Sequence, residues 1–196
     1  MSALLFLDVD GVVNSAHYLL SYRLDVGEPS AQERAKRAPR GSESICPTLL
    51  GRVDRIVRET GCDVVVSSAW RHGRNTHDLT ALFRARGATF RVRSSTPLDR
   101  WILTAEEIAA GRTVTEETRG DQIQAWLDVH GGAGKGARWG GWHAPIVLLD
   151  DTSDMAHLTP YLVLTDHRVG ITDADADRAI AMLRADVDAL AEVPRG

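Results

Sequence analysis

Short apolar runs alternate along this chain with segments in which apolar residues recur every three or four positions. Runs of consecutive apolar residues are typical of strands buried in a parallel sheet, and the wider spacing is typical of helices with one buried face. The predicted strands are 3–7, 62–68, 88–93, 145–151 and 161–165. The predicted helices are 48–60, 79–86, 104–111, 121–130 and 173–187. Strands that alternate with helices predict an α/β fold with a mostly parallel central sheet.

Two segments fit neither pattern. Residues 16–47 mix charged and apolar positions and contain several prolines, so we predict a loop or small lid there. Residues 131–141 are rich in glycine, which predicts a flexible loop. The chain is long enough for one well-filled domain, and we expect residues 1–196 to form a single domain with 15–47 as a flap or small lid insert.

Polar side chains stand where three of the predicted strands end. These residues are Asp8 and Asp10, Ser67 and Ser68, and Asp150 and Asp151. The carboxyl ends of parallel strands meet at one edge of a sheet, and ligands of such sheets bind beyond that edge. We therefore expect the six side chains to come together in one candidate site.

Four carboxylates in one place repel one another unless a cation neutralises them. Oxygen ligands without a nearby His or Cys favour Mg²⁺ over zinc or copper. Protein-bound Mg²⁺ commonly also contacts a substrate phosphate, so a phosphate ester is the expected substrate. A carboxylate can itself act as the nucleophile, which splits hydrolysis into formation and breakdown of an aspartyl-phosphate.

Composition excludes several other classes of protein. With 43% apolar and 26% charged residues among 196, the chain is ordinary for a globular protein. No apolar run approaches the roughly 20 residues of a membrane-spanning helix, and Asp8 interrupts the first run too early for a signal peptide. Cys46 and Cys62 form no CxxC motif, so a disulfide framework or zinc site has no support and a cytoplasmic location is expected.

Charge is unevenly distributed along the chain. Residues 1–93 carry 14 Lys or Arg against 10 Asp or Glu, for a balance of +4, and residues 94–196 carry 9 against 17, for −8. Nearly all the basic residues are arginines, which could simply follow genome composition. The alternative is a modestly electropositive face that attracts phosphates.

Three motifs resemble those of the haloacid dehalogenase (HAD) superfamily of phosphohydrolases. DVDGVVN at 8–14 resembles its motif I, VVVSSAWR at 64–71 its motif II, and VLLDDTSDM at 147–155 its motif IV. The motifs occur in the family's order, and the resemblance spans about residues 3–165. It implies a Rossmannoid three-layer sandwich without a large cap domain, similar to small phosphatase domains and to 3′-phosphatase modules of nucleic-acid repair proteins.

The resemblance also implies roles for the residues of motif I. Asp8 would be the nucleophile and a Mg²⁺ ligand. Asp10 would be the general acid and base, and would offer its backbone carbonyl to the metal. Gly11 would let the chain turn sharply beside the bound phosphate.

Motifs II and IV supply the remaining oxygen groups that the resemblance implies. Ser67 would hold the phosphate, with Ser68 in that role if the register is shifted by one residue. Simple helix capping is the alternative for both serines. Asp151 is favoured as the direct metal ligand with Asp150 as its supporting partner, and Asp154 could orient both.

Motif III should contribute a cation near the start of a helix. Arg119, in TRGDQIQAWL, stands in the expected place, although the superfamily more often uses Lys. Lys135 is the alternative, but a glycine-rich loop is a poor mount for a catalytic group. We therefore prefer Arg119.

Several aromatic and acidic residues have a structural interpretation beside a functional one. Trp126 lies on the apolar face of a predicted helix and is expected in the core, whereas Trp139 and Trp142 could cover the site, stack on nucleotide bases or shield an edge. The acidic residues from Asp173 onward fit a helix start better than a calcium loop, because the glycine and terminal Glu of that loop are missing.

The expected function is that of a Mg²⁺-dependent phosphatase acting through an aspartyl-phosphate at Asp8. The substrate would be a phosphorylated small molecule or nucleotide, and an open entrance would also admit a polynucleotide end. Two alternatives are a nucleic-acid end-processing 3′-phosphatase module and a non-catalytic module that binds phosphate. No membrane partner is expected, and the oligomeric state is left open.

Overall fold

A computed structural model describes residues 2–26, 41–97, 109, 117–130 and 144–185. The strands within them are β1 (Leu4–Leu7), β2 (Asp63–Val66), β3 (Val92–Ser95), β4 (Ile146–Asp150) and β5 (Leu162–Leu164). The α-helices are α1 (Ala16–Val26), α2 (Pro47–Thr60), α3 (Thr76–Arg84), α4 (Arg119–His130) and α5 (Asp173–Arg184). Short 3₁₀ helices cover Ser42–Ser44, Ala69–Arg71 and Ala156–Tyr161.

The strands form one parallel sheet in the order β3-β2-β1-β4-β5. β1 lies at its centre, with Leu7 paired to Val66 of β2 on one side and to Leu149 of β4 on the other. The chain proceeds outward from β1 in both directions, which leaves a crevice at the carboxyl ends of the central strands. The predicted α/β fold with a parallel sheet is confirmed.

Helices cover both faces of the sheet and give the sandwich three layers. Leu5 and Leu7 of β1 pack in a core with residues of α2, α3 and α5. Leu4 and Phe6 point to the opposite core, which α4 closes. There Trp126 contacts Phe6 edge to face at 5.5 Å between ring centroids, as its predicted place in the core requires.

The helices begin and end at the residues that local chemistry favours. Gly61 adopts a left-handed φ of 66° directly after α2, the usual way for a helix to terminate. At the start of α5, Thr172 and Asp175 form a reciprocal capping box. The acidic segment from Asp173 is therefore a helix start, as predicted.

The prediction of a loop from residue 16 was wrong for α1. Its apolar residues do not gather on one face, so the sequence carries no helical pattern there. Contacts from elsewhere support it instead: the amides of Ala16 and His17 donate to the carbonyls of His167 and Arg168. The hydroxyl of Tyr18 also donates to the Glu43 carbonyl, at 3.2 Å.

The predicted strand at 88–93 begins too early. The amide of Thr89 donates to the Asp54 carboxylate at 2.6 Å, so it is not available to a sheet ladder, and β3 starts only at Val92. The predicted helix at 104–111, except residue 109, and the glycine-rich loop at 131–141 lie outside the described residues. Among the helices that are described, none combines the length and hydropathy needed to cross a bilayer.

Candidate active site

The parallel register sets the first polar side chains next to each other. Asp8 follows β1 and its amide donates to Leu149 of β4 at 2.9 Å. Ser67 follows β2 and its amide donates to Leu7 at 2.8 Å. Asp150 is the last residue of β4. The predicted strand ends thus meet at one edge of the sheet.

Three carboxylates form a cluster that could hold a metal ion. Asp8, Asp150 and Asp151 each offer one oxygen, and these oxygens lie within 4.8 Å of one another. Asp8 and Asp150 are only 4% and 2% exposed, whereas Asp151 is half-buried. The donor set is entirely oxygen, as Mg²⁺ prefers, so the residues present fit that ion.

The electrostatics of the cluster favour a cation. Burial, reinforced by the charge of Asp150, raises the pKa of Asp8 to about 7. Burial also raises the pKa of Asp150 and of Asp151. Desolvation and like charge both penalise the ionised carboxylates, and a bound divalent ion would relieve both penalties.

Arg119 supplies a positive charge to this cluster. Its Nε lies 3.4 Å from Oδ2 of Asp150 and its Nη2 lies 4.0 Å from Oδ1 of Asp8. The guanidinium lowers the pKa of both carboxyls, partly offsetting their burial. Arg119 is also the first residue of α4, where the helix dipole disfavours a cation. Lys135, the other candidate for motif III, lies outside the described residues.

Asp154 fixes the start of α4 beside the cluster. Its carboxylate accepts the Arg119 amide at 3.2 Å, and its carbonyl accepts the Gly120 amide at 3.2 Å. A Cβ at Gly120 would lie 2.5 Å from the Met155 carbonyl oxygen, so only glycine permits this approach. These contacts join Asp154 to the start of α4 rather than to Asp150 or Asp151, so its role in orienting those two carboxylates stays a prediction.

Thr152 is a residue of the candidate site that sequence reasoning missed, and it contacts Asp150. Its amide and hydroxyl donate to Oδ1 of Asp150 at 3.0 and 2.8 Å. The hydroxyl is also 2.9 Å from Asp154. With Arg119 beside its other oxygen, Asp150 is held on both sides. The signal was present in the DDTSD segment, because Asp followed two residues later by Thr commonly forms such a turn.

Gly11 sits where no side chain fits. Its φ is +68°, and a Cβ would lie 2.2 Å from Oδ2 of Asp151. Its carbonyl accepts the Thr165 hydroxyl at 2.9 Å, which ties the loop to the end of β5. The turn predicted at Gly11 therefore brings the Asp8–Asp10 loop directly against Asp151.

Asp10 is exposed, but two side chains hold its carboxylate. The Asn14 side-chain amide donates to Oδ1 at 2.6 Å, and Asn14 in turn accepts the Gly11 amide. The Trp70 indole N–H is 3.1 and 3.0 Å from Oδ1 and Oδ2. Neither contact was predicted. Asn14 belongs to the motif I segment, whereas Trp70 is sixty positions away and carries no sequence signal for this contact.

The two serines have different surroundings. Ser68 is the hydroxyl whose hydrogen bond lowers the pKa of Asp8, and it also accepts the Trp70 amide at the start of the Ala69–Arg71 turn. The Ser67 hydroxyl is buried and has no hydrogen-bond partner among the described residues. The structure thus brings Ser68 into contact with Asp8 and also gives it the capping role, and which of the two serines holds a phosphate stays a prediction.

A polar cavity borders this group of residues. Its volume is about 230 Å³, and its lining includes Arg71, His72, Arg119 and Gln122. Arg71 is buried and donates to the Ser68 carbonyl at 2.6 Å and to the Gln122 side chain at 2.7 Å. This polar lining suits a hydrophilic ligand better than an apolar one.

The fold and the site define a domain of the HAD superfamily: a parallel sheet whose central strands end in paired acids, with an arginine beside them at the start of α4. The chain belongs to the family described as the HAD domain in Swiss Army Knife RNA repair proteins, whose model matches residues 4–176. No curated protein and no solved structure matches it. The family supports a HAD-type phosphatase or nucleic-acid end-processing role.

Proposed function

We propose that this protein is a Mg²⁺-dependent phosphatase that hydrolyses a phosphomonoester through an aspartyl-phosphate at Asp8. The observation that carries the proposal is the setting of that carboxylate. Asp8 is buried between Arg119 and Asp150, and an exposed second carboxylate, Asp10, lies two residues further on. A module that only binds phosphate requires the cations and hydroxyls of such a site. It does not require a nucleophile such as Asp8 together with a general acid such as Asp10.

The proposed reaction uses these carboxylates in two steps. First, Asp8 attacks phosphorus while the bond to the leaving oxygen breaks, and Asp10 gives that oxygen its proton. Next, Asp10 takes a proton from a water molecule, which attacks the phosphorus of the aspartyl-phosphate. Inorganic phosphate leaves, and both carboxylates return to their starting states.

The other residues are proposed to hold the transferring group. The Arg119 guanidinium would balance its negative charge, and the hydroxyl of Ser68, or of Ser67, would donate to a phosphate oxygen. Mg²⁺ held by Asp8, Asp151 and the Asp10 carbonyl, with Asp150 in support, would neutralise charge around the phosphate. Asp150 already has Thr152 and Arg119 beside its oxygens, which supports assigning the more direct ligand role to Asp151.

Residues 15–47 are proposed to form a small flap beside the entrance of a single domain. A Cβ at Gly41 would lie 3.7 Å from the Trp70 ring, and the Trp70 indole contacts Asp10. The end of this segment therefore lies next to the site. A small flap leaves room for a bulky leaving group, such as a nucleotide or a polynucleotide end.

The direct test is phosphate release from a panel of phosphomonoesters. The panel contains sugar phosphates, 3′- and 5′-nucleotides, and oligonucleotides phosphorylated at either end, each with Mg²⁺ or with a chelator. We expect release from at least one member, abolished by the chelator and restored by Mg²⁺. A folded protein that binds Mg²⁺ and releases nothing would contradict a phosphatase with substrates of this class.

A nucleic-acid end-processing role is the second candidate, and two observations favour it. The family takes its description from RNA repair proteins, and residues 1–93 carry an excess of four positive charges. If this role is correct, 3′-phosphorylated RNA is a better substrate than the matching mononucleotide, and its binding weakens steeply with salt. Equal activity on both, with no salt dependence of binding, would favour a small-molecule substrate.

Mg²⁺ binding also has a readout that does not need turnover. At about 100 times its dissociation constant, Mg²⁺ should add about 2.7 kcal/mol to the free energy of unfolding and raise Tm by about 5–10 °C. Differential scanning calorimetry at constant ionic strength measures the shift. Asp151→Asn should reduce it, whereas the same increase in both proteins would argue against a site at Asp151.

A further inference from the structure

Trp70 makes an unusual contact with the carboxylate proposed as the general acid. Its indole N–H lies 3.0 and 3.1 Å from the two oxygens of Asp10, so one donor is shared between them. Asn14 adds a second donor on Oδ1, at 2.6 Å. An exposed aspartate otherwise rotates freely about its side-chain bonds, and these donors restrict it to one orientation.

The indole is mounted on a turn that is fixed from several sides. Trp70 lies in the Ala69–Arg71 turn, and its amide donates to the Ser68 hydroxyl at the start of that turn. The buried Arg71 donates to the Ser68 carbonyl and to the Pro97 carbonyl, which ties the turn to the end of β3. Arg74 donates to the Trp70 carbonyl at 3.1 Å and places its guanidinium carbon 5.5 Å from the centre of the indole ring.

We propose that Trp70 is a positioning residue for Asp10, whose indole N–H aims the carboxylate at the leaving oxygen of the substrate. This inference rests on the proposed phosphatase function. Protonation of a leaving oxygen depends on the direction of the donating carboxyl as well as on its distance. The same turn carries Ser68 to Asp8 and Trp70 to Asp10, so it couples the positions of the nucleophile and the acid.

The sharpest test compares two leaving groups in Trp70→Phe, which keeps a ring but removes the N–H. An alkyl phosphate expels a poor leaving group that must be protonated, whereas 4-nitrophenyl phosphate expels a phenolate that needs little help. We expect kcat/KM for the alkyl phosphate to fall by about 10-fold or more, and that for 4-nitrophenyl phosphate by less than about 3-fold. This parameter reports the steps up to departure of the leaving group.

Trp126→Phe is the matched control. This variant also loses one hydrogen bond of an indole N–H, the one to the Ser94 hydroxyl at 2.9 Å. That bond lies in the core beneath α4 and not beside Asp10. Trp126→Phe should lower Tm without changing the ratio of the two kcat/KM values. An unchanged ratio in Trp70→Phe, with an active wild-type enzyme, would overturn the positioning role alone. An inactive wild-type enzyme would instead overturn the proposed function.

A second measurement tests the contact without any turnover. The chain has five tryptophans, and Trp70→Phe identifies which of the five indole N–H signals in a ¹⁵N-correlated NMR spectrum belongs to Trp70. We expect that signal to shift strongly in Asp10→Ala, while the Trp126 signal stays in place. A Trp70 signal that is insensitive to Asp10→Ala would overturn the inference whether or not the enzyme is active.

Discussion

Asp8→Asn is expected to lose phosphate release by a factor on the order of 10³ or more and, without divalent cations, to be more stable than the wild-type protein. Activity falls because a carboxamide cannot form the aspartyl-phosphate. Stability rises because Asp8 is buried beside Asp150, and a neutral side chain of the same shape removes both the desolvation cost and the repulsion. A functional carboxylate that destabilises its own fold is common in active sites.

The stability gained in Asp8→Asn depends on pH because the pKa of Asp8 is raised in the folded protein. Near pH 4 the folded wild-type protein keeps its proton on Asp8, so Asp and Asn differ little. As the pH rises to about 7, the unfolded chain releases this proton while the folded protein retains it, and wild-type stability falls. The advantage of Asp8→Asn should therefore grow between about pH 4 and pH 7 and be constant above, reaching on the order of 2–4 kcal/mol.

Chemical denaturation in the presence of a chelator, at several pH values, measures this effect. Asp151→Asn is the matched control, since its carboxylate is half-buried and should give a smaller gain. If Asp8→Asn were less stable than the wild-type protein across the whole pH range, the Asp8 carboxylate would stabilise the folded protein instead of destabilising it. If Asp8→Asn still released phosphate, Asp8 would not be the nucleophile.

The sequence could predict the position of the acids but not how they are held. Asp8 and Asp150 follow buried apolar runs, and parallel strands bring such ends together whatever the loops do. Thr152 holds Asp150, and Asn14 holds Asp10, through local turns that a sequence only suggests. Trp70 and Asp10 are sixty residues apart, and their contact depends on the direction of a 3₁₀ turn that has no periodic pattern.

The errors in the elements have similar causes. α1 lacks a continuous apolar face and depends on contacts with the segment after β5, so its sequence resembles a loop. The start of β3 depends on Asp54, a side chain from α2 that takes the amide of Thr89. The exact end of β2 determines which of the two serines contacts Asp8. The ends of strands are the least reliable part of a sequence prediction.

Arg119→Met should reduce phosphate release by about 10²- to 10³-fold and should destabilise the cation-free protein, the opposite of Asp8→Asn. The guanidinium lies 3.4 Å from Asp150 and 4.0 Å from Asp8, and its removal leaves two buried carboxylates without a cation. Arg119→Lys restores charge but not the paired geometry, so its activity should be intermediate. Lys135→Ala is the control and should retain nearly full activity. Loss of activity in Lys135→Ala, with Arg119→Met unaffected, would reverse this assignment.

The double variant Asp8→Asn, Arg119→Met separates the electrostatic role of Arg119 from simple packing. If Arg119 stabilises the protein by neutralising Asp8, its replacement should cost less once Asp8 is neutral, and the double-mutant cycle should give a coupling of about 1–3 kcal/mol. A coupling near zero would mean that Asp150 alone needs the guanidinium. In either case Arg119 would remain the cation beside Asp150, because its Nε lies 3.4 Å from Oδ2 of that carboxylate while Thr152 donates to Oδ1.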